Sequence, residues 1–262
     1  MGNFYKNIDF KRPKAQGLYD PSFEHDSCGV GLVANTKGVK SHEIVQQGLE
    51  VLFNLGHRGA VGADPETGDG AGILLQMPDE FFRKQSKVIN VNLPEAGNYA
   101  VGMTFLPSNN DARGGCEKII KDVVDKNHQE FLGWRDVPVN KSAVGILANN
   151  VMPEIRQFFI GVNKTKKDDL TFERRLYIIR KQIEYLVSEN ITTDRSDFYI
   201  ASLSSNTIVY KGLLRTNQLQ NFYQDIGDSS ITSSFAMVHS RFSTNTLGSW
   251  ELAHPYRHVV HN

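Results

Sequence analysis

Cys28-Gly29-Val30-Gly31-Leu32-Val33-Ala34 joins a thiol to an apolar, glycine-spaced run that reads as a buried strand, and residues 1–27 ahead of it look like a segment to be removed. If the chain is cut between Ser27 and Cys28, one residue carries both a thiol nucleophile and a free α-amine. An α-amine titrates at roughly 7.7 to 8.0, far below a lysine, so a usable fraction is neutral near neutral pH and can serve as general base. Cys28 would then be a catalytic unit in itself. The competing reading is a core cysteine, since a small thiol among apolar neighbours is ordinarily a packing residue.

The first 27 residues do not resemble an export signal. Lys6, Lys11, Arg12 and Lys14 are balanced by Asp9, Asp20, Glu24 and Asp26, and no apolar run of signal-peptide length is present. Their removal would be maturation. No apolar stretch reaches the roughly 18 residues of a membrane span. Lys plus Arg and Asp plus Glu number 29 each, so no net field attracts nucleic acid or anionic lipid. The chain holds two cysteines, which make no disulfide framework and suit a reducing, cytoplasmic setting. Cys116, in Arg113-Gly114-Gly115-Cys116-Glu117, reads as structural. A chain of 262 residues can bury one large or two small cores.

Periodicity places a helix over Ser41–Leu55 with Ser41 as N-cap and Ile44, Val45, Leu49, Leu52 and Phe53 on one face. A glycine-rich stretch, Gly56–Gly72, leads to a strand at Ile73–Gln76 and a short helix at Pro78–Lys84. Strands are expected at Tyr99–Leu106, Phe131–Val137, Ala143–Leu147 and Arg156–Val162, and helices at Glu117–Lys126 and Thr171–Glu189, the latter with a stripe of Leu176, Ile179, Ile183, Leu186 and Val187. Phe198–Leu203 and Thr207–Tyr210 read as a β-hairpin around Ser204, Ser205 and Asn206. Thr216–Asp225 reads as helical, and Ser233–Ser240 and Tyr256–Asn262 as strands. Mixed blocks without regular βαβ alternation indicate an α+β layered sandwich.

Two features invite functional readings that their chemistry does not support. Gly68-Asp69-Gly70-Ala71-Gly72 fits neither dinucleotide-binding nor P-loop spacing, and turn and tight-packing glycines explain it better. His239, His254, His258 and His261 cluster late in the chain, but no glutamate follows His254 and Pro255 intervenes, which speaks against a metal site.

Taken in order, Cys28–Ala34, Leu55-Gly-His-Arg-Gly-Ala-Val-Gly-Ala-Asp64, Thr67–Ile73, Trp134–Pro138, Ser202–Ser204, Val209–Gly212, His239-Ser-Arg-Phe-Ser-Thr-Asn-Thr246, Ala253–Pro255 and His261-Asn262 resemble the amidotransferase domain of glutamate synthase large subunits. The resemblance covers essentially the whole chain. It implies a four-layer αββα sandwich of the N-terminal-nucleophile hydrolase type, incomplete at its C-terminal end, with residues 1–27 a propeptide and 28–262 a class II glutamine amidotransferase domain. It implies hydrolysis of the glutamine side-chain amide through a Cys28 thioester, with Asn262 in the oxyanion hole. Arg241 corresponds to the clamp on the substrate α-carboxylate, Ser243 and Thr244 to a loop that orders over substrate, and Arg58 to a support near the nucleophile. No cofactor is implied for this segment. FMN and a 3Fe-4S cluster, the remaining synthase domains and an electron-donating small subunit or ferredoxin belong to the rest of such an enzyme. The alternative is an unprocessed, non-catalytic module that keeps the fold; a nucleotide-binding protein built on Gly68–Gly72 has little support.

Overall fold

In the computed structural model, residues 15–18, 20, 29–58, 64–163, 171–191, 198–242 and 248–257 are described. Ser41 is extended, and its Oγ accepts the Ile44 amide N–H at 3.3 Å, capping α1 (His42–Asn54); such a cap is worth about 1 kcal/mol. Ile44, Val45, Leu49 and Leu52 are buried as expected, but Phe53 is 63 % exposed. Gly48 completes the stripe in its place, because only a residue without a Cβ lets α1 approach Ala236 so closely.

Two four-stranded antiparallel sheets and six α-helices, the second of them α2 (Asp79–Val88), make an α+β architecture among the described residues. The first sheet runs β1 (Val30–Ala34), β8 (Phe235–Ser240), β2 (Ala71–Gln76), β7 (Thr207–Gly212). The second runs β4 (Glu130–Asp136), β5 (Glu154–Gly161), β3 (Tyr99–Leu106), β6 (Tyr199–Ser204). Helix α1 packs on β1 and β8, whereas α3 (Asn110–Lys126) and α5 (Phe172–Asn190) pack on each other and against β4 and β6 respectively. One core joins Ile73 and Tyr210 to Val101, Met103 and Phe159 of the second sheet. The other holds Ile120, Ile179 and Ile183 against Phe158 and Ile160. Phe158 and Phe159 therefore serve opposite faces of one strand, and β3 beside it, buried along its whole length, reads as a nearly continuous apolar run.

Tertiary context overrides several local expectations. β1 is an edge strand with Leu32 60 % exposed, so the expected burial of Cys28–Ala34 holds for only part of its described residues. The strand expected at Ala143–Leu147 is instead a 3₁₀ turn (Lys141–Ala143) followed by helix α4 (Ile146–Asn150). The turn at residues 64–67 imposes that helix: Asp64 Oδ2 accepts the Leu147 N–H at 3.1 Å and Thr67 Oγ1 the Ala148 N–H at 3.1 Å, satisfying two otherwise orphaned donors. The hairpin expected around Ser204–Asn206 does not form, since β6 and β7 belong to different sheets. The Glu173 carboxylate accepts from the Ser204 and Ser205 hydroxyls and the Ser205 amide, holding the chain where it crosses between sheets.

Helix α3 begins seven residues before Glu117, because the Asn109 side chain accepts from the amides of Asp111 and Ala112 and carries the helix through Gly114-Gly115. Cys116 is thereby a buried residue of the second core. The helix expected over Thr216–Asp225 reduces to α6 (Leu219–Phe222) and part of a 3₁₀ turn (Gln224–Gly227). Of the strand expected at Tyr256–Asn262, only Tyr256 and Arg257 are described, and Arg257 turns at φ 35°.

The α4 cap carries a pH signature. Hydrogen bonds from Thr67 and Leu147 hold the Asp64 carboxyl below its ordinary value of 3.8. A folded value below the unfolded one contributes stability that is complete above 3.8 and is lost as pH falls through the folded value. Asp64→Asn is therefore expected to lower the Tm at neutral pH, with the variant and parent curves converging as pH falls through the folded value; parallel curves in a pH-resolved melting series would remove Asp64 from that role.

Candidate functional site

The ends of three strands converge at one edge of the first sheet. The Ser240 amide donates to the Gly29 carbonyl at 2.7 Å, and the Arg241 amide donates to the Gly70 carbonyl at 2.8 Å. The residue that follows Cys28, the arginine after β8, and the turn before β2 are thus brought together by register alone: Val30 lies opposite His239, and Ala71 opposite Ser240.

The glycines of that turn are required by space. Gly70 has φ +139°, a conformation that L side chains rarely adopt, and a Cβ at Gly68 would collide with the Leu214 carbonyl. This agrees with the packing explanation of Gly68–Gly72. Asp69, held between them, points its carboxylate at Arg241: Nη1 donates to Asp69 Oδ1 at 2.6 Å and to the Asp69 carbonyl at 3.2 Å. The pair is mostly buried, Arg241 being 11 % and Asp69 9 % exposed. A guanidinium braced by a carboxylate and largely withdrawn from solvent is held in a set orientation.

Arg241 and Asp69 line a cleft of about 380 Å³, with Phe53, Gly56, Arg215 and Asn217 among its other walls. That size suits an amino-acid ligand. A wider cleft of about 590 Å³ lies beside α5; it is lined by the Ser202–Ser204 motif and, among the described residues, not by Arg241 or Asp69. Arg58 ends a 3₁₀ turn (Leu55–Arg58) that continues α1 beside this cleft, so its backbone is near while its side chain lies outside the described residues. Cys28, Ser243, Thr244 and Asn262 likewise lie outside the described residues, as do His258 and His261. His239 and His254 stack at 4.4 Å.

Sequence reasoning missed Asp69 and Phe53 as parts of the site. Asp69 was legible as a lone carboxylate between two glycines; Phe53 was not, because helical periodicity counted it with the core.

The family model for class-II glutamine amidotransferases matches residues 28–262. The chain is 55 % identical over 251 residues to the large chain of an NADPH glutamate synthase from Bacillus subtilis, covering 95 % of this chain and 16 % of that protein. It is 44 % identical over 246 residues to the corresponding chain from Azospirillum brasilense, covering 93 % and 16 %. It is 42 % identical over 239 residues to a ferredoxin-dependent glutamate synthase from Pyropia yezoensis, covering 91 % and 15 %. The chain thus spans about a sixth of the length of these curated relatives.

Proposed function

The chain belongs to the class-II glutamine amidotransferases, and we propose that it is the glutaminase part of a glutamate synthase, releasing ammonia from the glutamine side chain at Cys28. The observation that carries this reading is the convergence of Gly29, Gly70 and Arg241 at one sheet edge, which brings the residue beside the nucleophile next to an arginine able to grip a carboxylate.

In this reading residues 1–27 are a propeptide, and their removal frees the Cys28 α-amine. The amine takes the thiol proton; the thiolate attacks the amide carbon of glutamine and forms a tetrahedral oxyanion. Asn262 donates to that oxyanion, a contribution typically worth on the order of 3 kcal/mol. The C–N bond breaks as the amine returns its proton to the departing ammonia, and water then hydrolyses the Cys28 thioester to glutamate. Arg241, braced by Asp69, holds the substrate α-carboxylate; Ser243 and Thr244 close over it, and Arg58 supports the nucleophile's surroundings. Placement of α1 against one sheet and of α3 and α5 against the other accords with the αββα layering of N-terminal-nucleophile hydrolases.

The ammonia would pass to a synthase region of the same polypeptide that makes glutamate from 2-oxoglutarate in the cytoplasm. FMN, an iron–sulfur cluster and an electron-donating subunit or ferredoxin would serve that region. Two cysteines cannot furnish the thiolate ligands of such a cluster, and no group of metal-ligating side chains occurs among the described residues. No described helix is long and apolar enough to cross a membrane.

Arg241→Lys tests the substrate assignment, because it keeps the charge and removes the planar fork. The glutamine KM of the full-length protein is expected to rise ~10-fold or more with ammonia-dependent turnover intact. A collapse of Tm, with both activities falling together, would make Arg241 a structural residue.

A further inference from the structure

The cleft beside α5, about 590 Å³ in volume, plays no part in the glutaminase reading. Its lining brings two arginines, Arg180 of α5 and Arg257, together with three tyrosines, Tyr177, Tyr199 and Tyr256. Arg180 is short of partners. Its side chain is only 8 % exposed, yet among the described residues it makes a single hydrogen bond, from Nη1 to Glu184 Oε1 at 3.0 Å. A guanidinium carries five N–H donors, and one so far withdrawn from water ordinarily has most of them taken up. Arg257 is close enough for its charge to be felt: burial first, and then Arg257, holds the Arg180 guanidinium below its ordinary value. Arg257 is itself fixed by donating from Nη1 to Tyr199 Oη at 2.9 Å and to the Ile200 carbonyl at 3.3 Å. Two guanidiniums with donors to spare therefore line one cleft.

The tyrosines supply the other half of the site. The Arg180 guanidinium lies 5.2 Å from the Tyr177 ring centre and that of Arg257 5.5 Å from the Tyr199 ring centre, so each cation rests against a ring that also lines the cleft. Tyr177 is 57 % and Leu252 37 % exposed, which leaves apolar surface open beside the charges. The acids nearby are largely engaged. Glu173 accepts from the Ser204 and Ser205 hydroxyls, and Glu184 takes Lys181 as well as Arg180. With Glu251, which also lines the cleft, these carboxylates match Arg180, Arg257 and Lys181 one for one. The charges balance while the guanidinium donors do not. What is missing is a planar acceptor of low charge, which favours a carboxylate over a phosphate.

We propose that this cleft binds a small organic monocarboxylate with a flat aromatic body, the carboxylate on Arg180 and Arg257 and the body against Tyr177, Tyr199 and Tyr256. A cleft of this volume takes a ligand of that size, and pockets of the kind fix orientation with a few placed polar groups among apolar walls. Its lining shares no residue with that of the cleft holding Arg241 and Asp69. The site therefore stands or falls independently of the glutaminase reading.

The test titrates the full-length protein with 4-phenylbutyrate, with its neutral amide 4-phenylbutyramide and with inorganic phosphate, and reads hydrogen exchange in peptides covering residues 172–190 and 249–257. Saturable slowing by 4-phenylbutyrate is expected in both peptides, with the amide and phosphate each binding ~10-fold or more weakly. Arg180→Met should weaken 4-phenylbutyrate binding ~10-fold or more, and Arg180→Lys, which keeps the charge without the planar fork, ~5-fold. If Arg180→Met does not fold, Arg180→Lys decides. Binding of the amide or of phosphate as tight as that of 4-phenylbutyrate, or undiminished binding in the variants, overturns the proposal. So does slowing confined to the segment around Gly68–Gly70. Peptides already protected without any probe, and unchanged by it, would show that another part of the polypeptide fills the cleft, which also overturns it.

Discussion

Cys28→Ala in the full-length protein is expected to lower glutamine-dependent turnover by on the order of 10³-fold or more while leaving ammonia-dependent turnover unchanged. The size follows from the chemistry: without the thiol there is no thioester, and water would have to attack an unactivated amide. The other cysteine of this chain, Cys116, is fully buried in the second core and cannot substitute. Cys28→Ser is expected to retain the fold and remain severely impaired, since a hydroxyl is a far weaker nucleophile at the same position. The mature N-terminus, read by intact mass, should begin at Cys28. Full glutaminase activity with residues 1–27 still attached would overturn the role of the free amine, and retained glutamine use in Cys28→Ala would overturn the nucleophile itself.

Asp225→Ala is expected to destabilise the protein by about 3–5 kcal/mol. Arg135 on β4 donates from Nη1 to Asp225 Oδ2 at 2.8 Å and from Nη2 to Asp225 Oδ1 at 2.7 Å, with side-chain exposures of 4 % and 2 %. Nη1 also donates to Gln157 Oε1 at 2.8 Å, and the guanidinium lies 5.3 Å from the Phe81 ring centre. Tyr210 on β7 donates its hydroxyl to Asp225 Oδ2 at 3.1 Å, so the network ties the second sheet to the first. Burial alone would lower the Arg135 pKa, but the hydrogen bonds and charge of Asp225 more than offset it. Removing the carboxylate leaves that cation buried and unpaired, which costs more than the pair itself contributes. A loss on the order of 10 °C in Tm is expected for a domain of this size. The double variant Arg135→Met, Asp225→Leu should recover much of it, because it removes both charges together; a double variant as unstable as Asp225→Ala would show that packing, not charge, is at stake.

The residues that announce chemistry in the sequence do so through type and order: a cysteine opening an apolar run, a lone arginine after a strand, glycines around an aspartate. Helix α1, with its Ser41 cap, and the long stripe of α5 were legible because amphipathic spacing and capping are local properties of the chain. The strand at Ala143–Leu147 misread because its apolar residues suit either element, and the choice is made by Asp64 and Thr67, some eighty residues earlier. The hairpin misread for the same reason: Ser204–Asn206 has turn chemistry, but a carboxylate on α5 decides which way the chain leaves it.

By itself, then, the sequence determined the α+β class, most of the strands and the arginine to test, since these depend on periodicity and on side-chain chemistry within a few residues. Only the tertiary structure decided that Asp69 braces Arg241, that Lys211 donates to the Glu251 and Ala253 carbonyls, and that Arg135 and Asp225 join the sheets. Each of these contacts closes a loop of roughly forty to one hundred and seventy residues, and the distance, orientation and burial that give it strength exist only once both sheets have packed.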